Sequence, residues 1–397
     1  MSDQPITPEA LPPVARHRIS RRRLLQAGAA TAVVLAEAQA SPLRTAAAPA
    51  AQEPLVSEKP GSTNIVHSRT PPLEETRVEE LEGLLTPTRN FFIRNHFATP
   101  QLDPQTWRLR VEGHVEAPFE LTYEELRNLP EQKSVIAFLE CAGNGRRRFD
   151  PPAEGTPWLH GAAGTAEWTG VPVAVLLERA RVRPGAVDLV AEGGDSGRVT
   201  RGLPLSVALR PDTLVVWAMN GEPLLPSHGA PVRLFVPGWV GVASIKWLVR
   251  LAVIDRPFDG VYNTTRYVYL DRPSGRPTEP ATVQPVKSYI NRPTPDAVLD
   301  RGSHLITGYA WSGYGPIARV EVSTDGGETW AEAQLLEPRL PLAWVRFAYR
   351  WEPPAPGTYV LASRATDEQG NVQPETVEWN RQGYHMNAIY RLTVVVT

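Results

Sequence analysis

Cysteine is almost absent: the 397-residue chain holds one, Cys141. No internal disulfide can form, and a Cys-x-x-Cys zinc site, a c-type haem attachment and a cysteine-ligated iron–sulfur cluster are excluded. Lysine is scarce, with Lys59, Lys133, Lys246 and Lys287 among 41 basic residues. The arginine excess reads first as a G+C-rich genome, and second as a supply of guanidinium forks suited to planar or tetrahedral oxyanions. A net charge of −2 leaves no broad phosphate-neutralising surface, and no nucleic-acid motif is present, so no nucleic-acid partner is expected. No apolar run reaches the roughly 20 residues of a membrane-crossing helix, so no stable span is expected. Hydrophobic residues at 42% and charged residues at 21% are those of a soluble globular protein. Proline, at 40 residues, favours extended segments and loops over long helices.

The N-terminus reads as an export signal rather than as part of the fold. Arg16, Arg18, Arg21, Arg22 and Arg23 form a positive region, Leu24 to Ala36 an apolar run, and Ala38-Gln39-Ala40 an A-x-A cleavage site. Residues 1–40 are therefore expected to be removed. Ser20-Arg21-Arg22-Arg23-Leu24-Leu25 looks like a twin-arginine signal. That route carries folded proteins and is typical where a cofactor is inserted before export. It points to a periplasmic or otherwise extracytoplasmic protein with a bound cofactor. Residues 41–85 read as an extended leader.

From residue 86 the pattern becomes globular. Thr122-Tyr123-Glu124-Glu125 is a capping box opening a short helix. Ser134 to Glu140 is a compact apolar run read as a buried strand, leading into the turn-rich loop Cys141-Ala142-Gly143-Asn144-Gly145. Pro172 to Ala180 reads as a helix, and Leu214 to Met219, Val232 to Val236 and Ile245 to Ile254 as strands. After about residue 278, proline-rich connections lead into alternating segments. Val320 to Thr324, Asp325-Gly326-Gly327 and Thr329-Trp330 read as a hairpin. Val345, Phe347, Tyr349 and Trp351 alternate with Arg346, Ala348 and Arg350. The expected fold class is α+β: a mixed α/β unit over 86–278, then an immunoglobulin-like β-sandwich over 279–397.

Cys141 is the most informative residue. It follows a strand and precedes Arg146, Arg147 and Arg148, and positive charge favours the thiolate, the form that attacks or ligates. A small buried hydrophobe is one reading. A cysteine hydrolase with His96 or His160 as base is another.

The neighbouring motifs narrow the choice. Phe91-Phe92-Ile93-Arg94-Asn95-His96, Cys141-Ala142-Gly143-Asn144, His228-Gly229-Ala230-Pro231-Val232-Arg233, Pro237-Gly238-Trp239-Val240-Gly241 and Ser244-Ile245-Lys246-Trp247 follow in order, with Gly308 to Gly313 and Ser323 to Gly327 in the sandwich. This set resembles the sulfite oxidase family of molybdenum enzymes, through most of residues 89–395. The resemblance implies a molybdenum–molybdopterin cofactor with Cys141 as the metal's protein ligand. It implies cofactor contacts from Phe92, Ile93, Arg94, Asn95, His96, Asp195, His228, Arg233, Ser244, Ile245 and Lys246. It also implies a substrate pocket of Arg94, Arg146, Trp158 and Tyr267, whose donors suit a small oxyanion. Gly145 stands where many relatives carry an arginine.

The activity so implied is oxidation of sulfite to sulfate, with electrons passed to a separate acceptor such as cytochrome c, since the chain shows no haem-binding segment. A homodimer formed through the sandwich is expected by analogy. Two other activities on the same fold are carried alongside: a sulfane dehydrogenase subunit and a sulfoxide reductase. A non-enzymatic exported binding module is the reading from outside catalysis.

Overall fold

The computed structural model describes residues 57–270 and 274–397. The expected signal peptide and residues 41–56 of the expected leader lie outside the described residues. Residues 57–85 carry structure: strands Ile65–Arg69 and Pro72–Glu75 pair antiparallel, and the second pairs with Ile93–Arg94. Among the described residues no helix is long and apolar enough to cross a membrane.

Two five-stranded sheets build the first part. One runs Glu222–Pro223, Leu214–Met219, Ala163–Pro172, Lys133–Glu140, with Arg233–Phe235 also paired to Leu214–Met219. The other runs Phe119–Thr122, Arg108–Gly113, Leu248–Ile254, Asp188–Gly193, Thr200–Pro204. The few helices are short. Tyr123–Arg127 begins at the expected capping box: the Glu125 N–H donates to Thr122 Oγ1 at 3.1 Å and the Thr122 N–H to Glu125 Oε2 at 2.8 Å. Val173–Ala180 buries Val173, Leu176, Leu177 and Ala180, spacings of three and four that place them on one face. Burial deepens along Lys133–Glu140, from an exposed start to a buried end. That gradient delivers Cys141 into the interior.

The second part is the expected β-sandwich. One sheet runs Lys287–Arg292, His304–Trp311, Val345–Trp351, Gln334–Leu336. The other runs Val298–Leu299, Arg391–Val396, Gly357–Asp367, Ile317–Ser323, Ala331–Glu332. Val345, Phe347 and Trp351 are buried, as their alternation demands. The hairpin pairs Val322 with Ala331 around the glycine turn.

The two parts share a core. Phe138 and Ala163 of the first cluster with Tyr289, Tyr309, Trp311 and Trp344 of the second. The Phe138 N–H donates to Leu342 O at 2.9 Å, and the Gln284 N–H to Gly238 O at 2.9 Å. Gly238 and Gly313 meet so closely that a Cβ on Gly313 would lie 2.1 Å from Gly238 O. Gly313→Ala is therefore expected to lower unfolding free energy by about 1–3 kcal/mol, read by denaturant titration. Unchanged stability would mean that the contact relaxes freely.

Candidate functional site

Cys141 opens the loop after strand Lys133–Glu140. Its N–H donates to Ala162 O at 2.9 Å, and its carbonyl accepts the Asn144 N–H at 2.9 Å. Gly145 then takes a left-handed φ of 87°, a conformation that suits glycine. The thiol is free and buried. It lines a cavity of about 80 Å³.

Most of the residues singled out from the sequence converge there. Phe92, Arg94, Asn95, His96, Cys141, Asp195, His228, Arg233, Ser244, Ile245, Lys246 and Tyr267 all line this cavity. They come from segments far apart in the chain, brought together by both sheets and their loops. Ile93, Arg146 and Trp158 are not among the lining residues. Ile93 is buried in the strand that pairs with Pro72–Glu75. Trp158 packs in the apolar cluster around Cys141, with the His67 ring edge-on at 5.0 Å. The Arg146 guanidinium donates to Gln382 O and Thr156 O, both at 2.9 Å, and lies over the Tyr384 ring.

The cavity wall is strongly cationic. Arg233 is fully enclosed, its guanidinium donating to the carbonyls of His228 at 3.0 Å and Ser244 at 2.9 Å over the Trp168 ring. Burial pushes its pKa down to about 9. Lys246 Nζ donates to Asn95 Oδ1 and to Ser227 O. Burial, then the positive charges of Arg233 and Arg94, press its pKa well below the usual range, with Asp195 opposing. Asp195 also accepts the Val199 N–H at 3.0 Å. Behind the wall, Lys59 Nζ reaches Phe91 O at 2.7 Å and Glu74 at 3.4 Å, and burial lowers its pKa to about 8.

Two buried polar atoms here have no partner: Arg94 Nη1 and His228 Nε2. Burial first, then Lys59, Lys246 and Arg233, hold His228 neutral. His96 Nε2 and Tyr267 OH lie 3.1 Å apart. Burial, with Arg94, Lys246 and Arg266, lowers the His96 pKa to about 2, while burial raises that of Tyr267. Tyr267 therefore keeps its proton, and its ring stacks on Tyr384 at 5.2 Å.

Buried cations without carboxylate partners are costly, and so is a buried polar atom left unpaired. Arg94, Arg233 and Lys246 make no ion pair among the described residues. The complement to this wall is an anion rich in acceptor oxygens. Beside it a thiol, as thiolate, offers a soft metal its preferred ligand. A phosphorylated, sulfur-bearing metal cofactor fits both demands. His228, Arg233 and Lys246 would hold its anionic part, and Cys141 its metal.

The comparisons agree. Residues 96–262 match the family profile described as oxidoreductase molybdopterin binding domain, and 279–397 the one described as Mo-co oxidoreductase dimerisation domain. Sulfite oxidase of Gallus gallus is 36% identical over 378 residues, covering 88% of this chain and 82% of that protein. The chain belongs to the sulfite oxidase family. It is a molybdopterin-dependent oxidoreductase. Mitochondrial sulfite oxidase of Mus musculus is 35% identical over 79% of this chain and 62% of its own length. The NAD(P)H nitrate reductase of Hordeum vulgare is 33% identical over 79% of this chain and 39% of its own length. The sulfane dehydrogenase SoxCD of Paracoccus pantotrophus superposes with a TM-score of 0.77 at 33% identity, covering 89% of this chain and 96% of that one. Family membership sets aside the non-enzymatic reading.

Sequence reasoning missed Lys59 behind this family site and gave no role to Phe91 or Trp247. Lys59 sits in a stretch read as leader, with no periodicity to mark it. Phe91 and Trp247 stand at the ends of recognised motifs, and both line the cavity.

Two outcomes are expected. Lys246→Met removes a charge-assisted donor and lowers pterin retained per protein roughly tenfold or more, read by fluorescence of the acid-released, oxidised pterin. Folding keeps His96 unprotonated between about 2 and the usual histidine value of 6.5. Its contribution to stability is therefore intact above 6.5 and lost progressively as pH falls below it. His96→Gln should flatten that acid limb by about 1.4 kcal/mol per pH unit, measured by urea unfolding between pH 6 and 4 at equal cofactor content.

Proposed function

We propose that this enzyme oxidises sulfite to sulfate and passes the electrons to a separate acceptor such as cytochrome c. It works as a homodimer in the periplasm or an equivalent compartment, after export by the twin-arginine route. The observation that carries the substrate reading is Arg94: a half-buried side chain whose Nη1 is buried and unpartnered, in the same cavity as Cys141 and Tyr267. A small dianion supplies what that atom lacks.

When bound, the cofactor supplies oxygen-atom transfer and two-electron redox chemistry. The chain supplies binding, orientation and dryness. Overall, sulfite and water give sulfate, two protons and two electrons. Arg94 binds the oxyanion with charge-assisted hydrogen bonds. The Tyr267 hydroxyl, held by His96 and kept protonated by its surroundings, donates to a substrate oxygen. Arg146, fixed by two carbonyls, adds positive potential; its proximity favours the phenol's charged form, against burial. Phe91, Phe92 and Leu139 line the apolar side, excluding water and strengthening each electrostatic contact. No side chain needs to exchange a proton, and both His96 and Tyr267 are held in their neutral forms.

Sulfane oxidation is the second reading, favoured by the likeness to the Paracoccus sulfane dehydrogenase. Steady-state cytochrome c reduction by a molybdenum-replete sample separates the two. Sulfite-dependent turnover supports the first; turnover with carrier-bound sulfane and none with sulfite overturns it. Arg94→Gln is expected to raise KM for sulfite roughly 10- to 100-fold with molybdenum content unchanged. Cys141→Ser is expected to retain pterin and lose turnover, and full activity in that variant would remove Cys141 from the metal.

A further inference from the structure

The residue before the thiol is a charged one, Glu140, and it is 3% exposed. Its carboxylate takes three donors. Lys287 Nζ and Asn144 Nδ2 each reach Oε1 at 2.9 Å, and Trp311 Nε1 reaches Oε2 at 2.8 Å. Its backbone carbonyl, one bond from the Cys141 nitrogen, accepts Gln284 Nε2 at 2.8 Å. Lys287 Nζ also donates to Asn144 O at 3.2 Å, and Asn144 Oδ1 accepts the Ala162 N–H at 3.1 Å. On the opposite side the His385 N–H donates to Ala142 O at 2.8 Å. Lys287, Gln284, Trp311 and His385 all belong to the second part of the chain.

We propose that the second domain positions the metal-ligating thiol: Lys287, Gln284 and Trp311 clamp Glu140, and Glu140 with Asn144 fixes the loop that carries Cys141. A buried ion pair adds little net stability over a well-packed apolar pair. What its directional donors add is geometry, because each bond fixes an angle as well as a distance. Every polar group from Glu140 O to Asn144 O that these bonds engage lies within three residues of the sulfur. The domain named for dimerisation thereby acts on its own protomer's metal. Lys287, Trp311 and Gln284 are positioning residues. They do not line the cavity.

The inference rests on Cys141 as the ligand and not on which sulfur compound is oxidised. The test uses the molybdenum-loaded enzyme, reduced by titanium(III) citrate for spectroscopy so that no sulfur compound is involved, and assayed separately for steady-state turnover. Lys287→Met removes the charge; Trp311→Phe removes one donor and keeps an aromatic ring, so it decides alone if the first variant does not fold. Both should shift the Mo(V) paramagnetic resonance g values by more than a linewidth. They should lower kcat about tenfold with KM within twofold, and Lys287→Arg should return both readouts toward wild type. Wild-type g values and kcat in both variants, with only the melting temperature lowered, would overturn the proposal and leave a structural tie between domains. Cys141→Ser is the control: g values unchanged there would instead refute the ligand assignment.

Discussion

Positive charge held out of water with few carboxylates to answer it is the constraint around which this molecule is organised. Arg233, Lys246 and Arg94 face one cavity, with Lys59 just behind. Their available partners are mostly backbone carbonyls and a side-chain amide, which orient a cation without cancelling it. Such a wall is tolerable only with an anion in front of it. The fold accordingly devotes two sheets and several loops to a site that is electrostatically incomplete by itself. Burial first, and the same charge after it, keep His96 and His228 neutral across the ordinary pH range.

The parts of the fold legible in the sequence are those whose cause is local. Leu214–Met219 emerges with the expected bounds, and the capping box at Thr122 starts the expected helix. The alternation from Val345 to Trp351 marks a strand with one face inward. Ile65–Arg69 and Pro72–Glu75 were invisible, because the short strand that completes their sheet, Ile93–Arg94, lies elsewhere in the sequence. Lys59 escaped for a related reason: its contacts, Phe91 O and Glu74, are distant in sequence. Family likeness put Arg146 and Trp158 in the substrate pocket; both are absent from the cavity lining, and the Arg146 side chain donates to the carbonyls of Thr156 and Gln382. Glu140 was read as the end of an apolar run; nothing in that run shows that its partners arrive from the sandwich.

The two parts of the chain are thus not independent modules. Their cores merge at Trp311 and Trp344, and Tyr384 of one stacks on Tyr267 of the other. Two phenol rings 5° from parallel transmit displacement well, because close-packed interiors yield little. A change of composition near residue 278 marks where the secondary structure switches type. It does not mark a boundary across which the site can be cut.

The scattered origin of the cavity wall has a consequence for the order of events during synthesis. Arg94 and Cys141 leave the ribosome long before Lys246 and Tyr267, and Gln284 and Lys287 emerge later still. A nascent polypeptide therefore carries bare cations and a reactive thiol with no receptacle around them. Capture of the prosthetic group has to wait until translation is well past the midpoint of the message, and a prematurely terminated product has nowhere to put it.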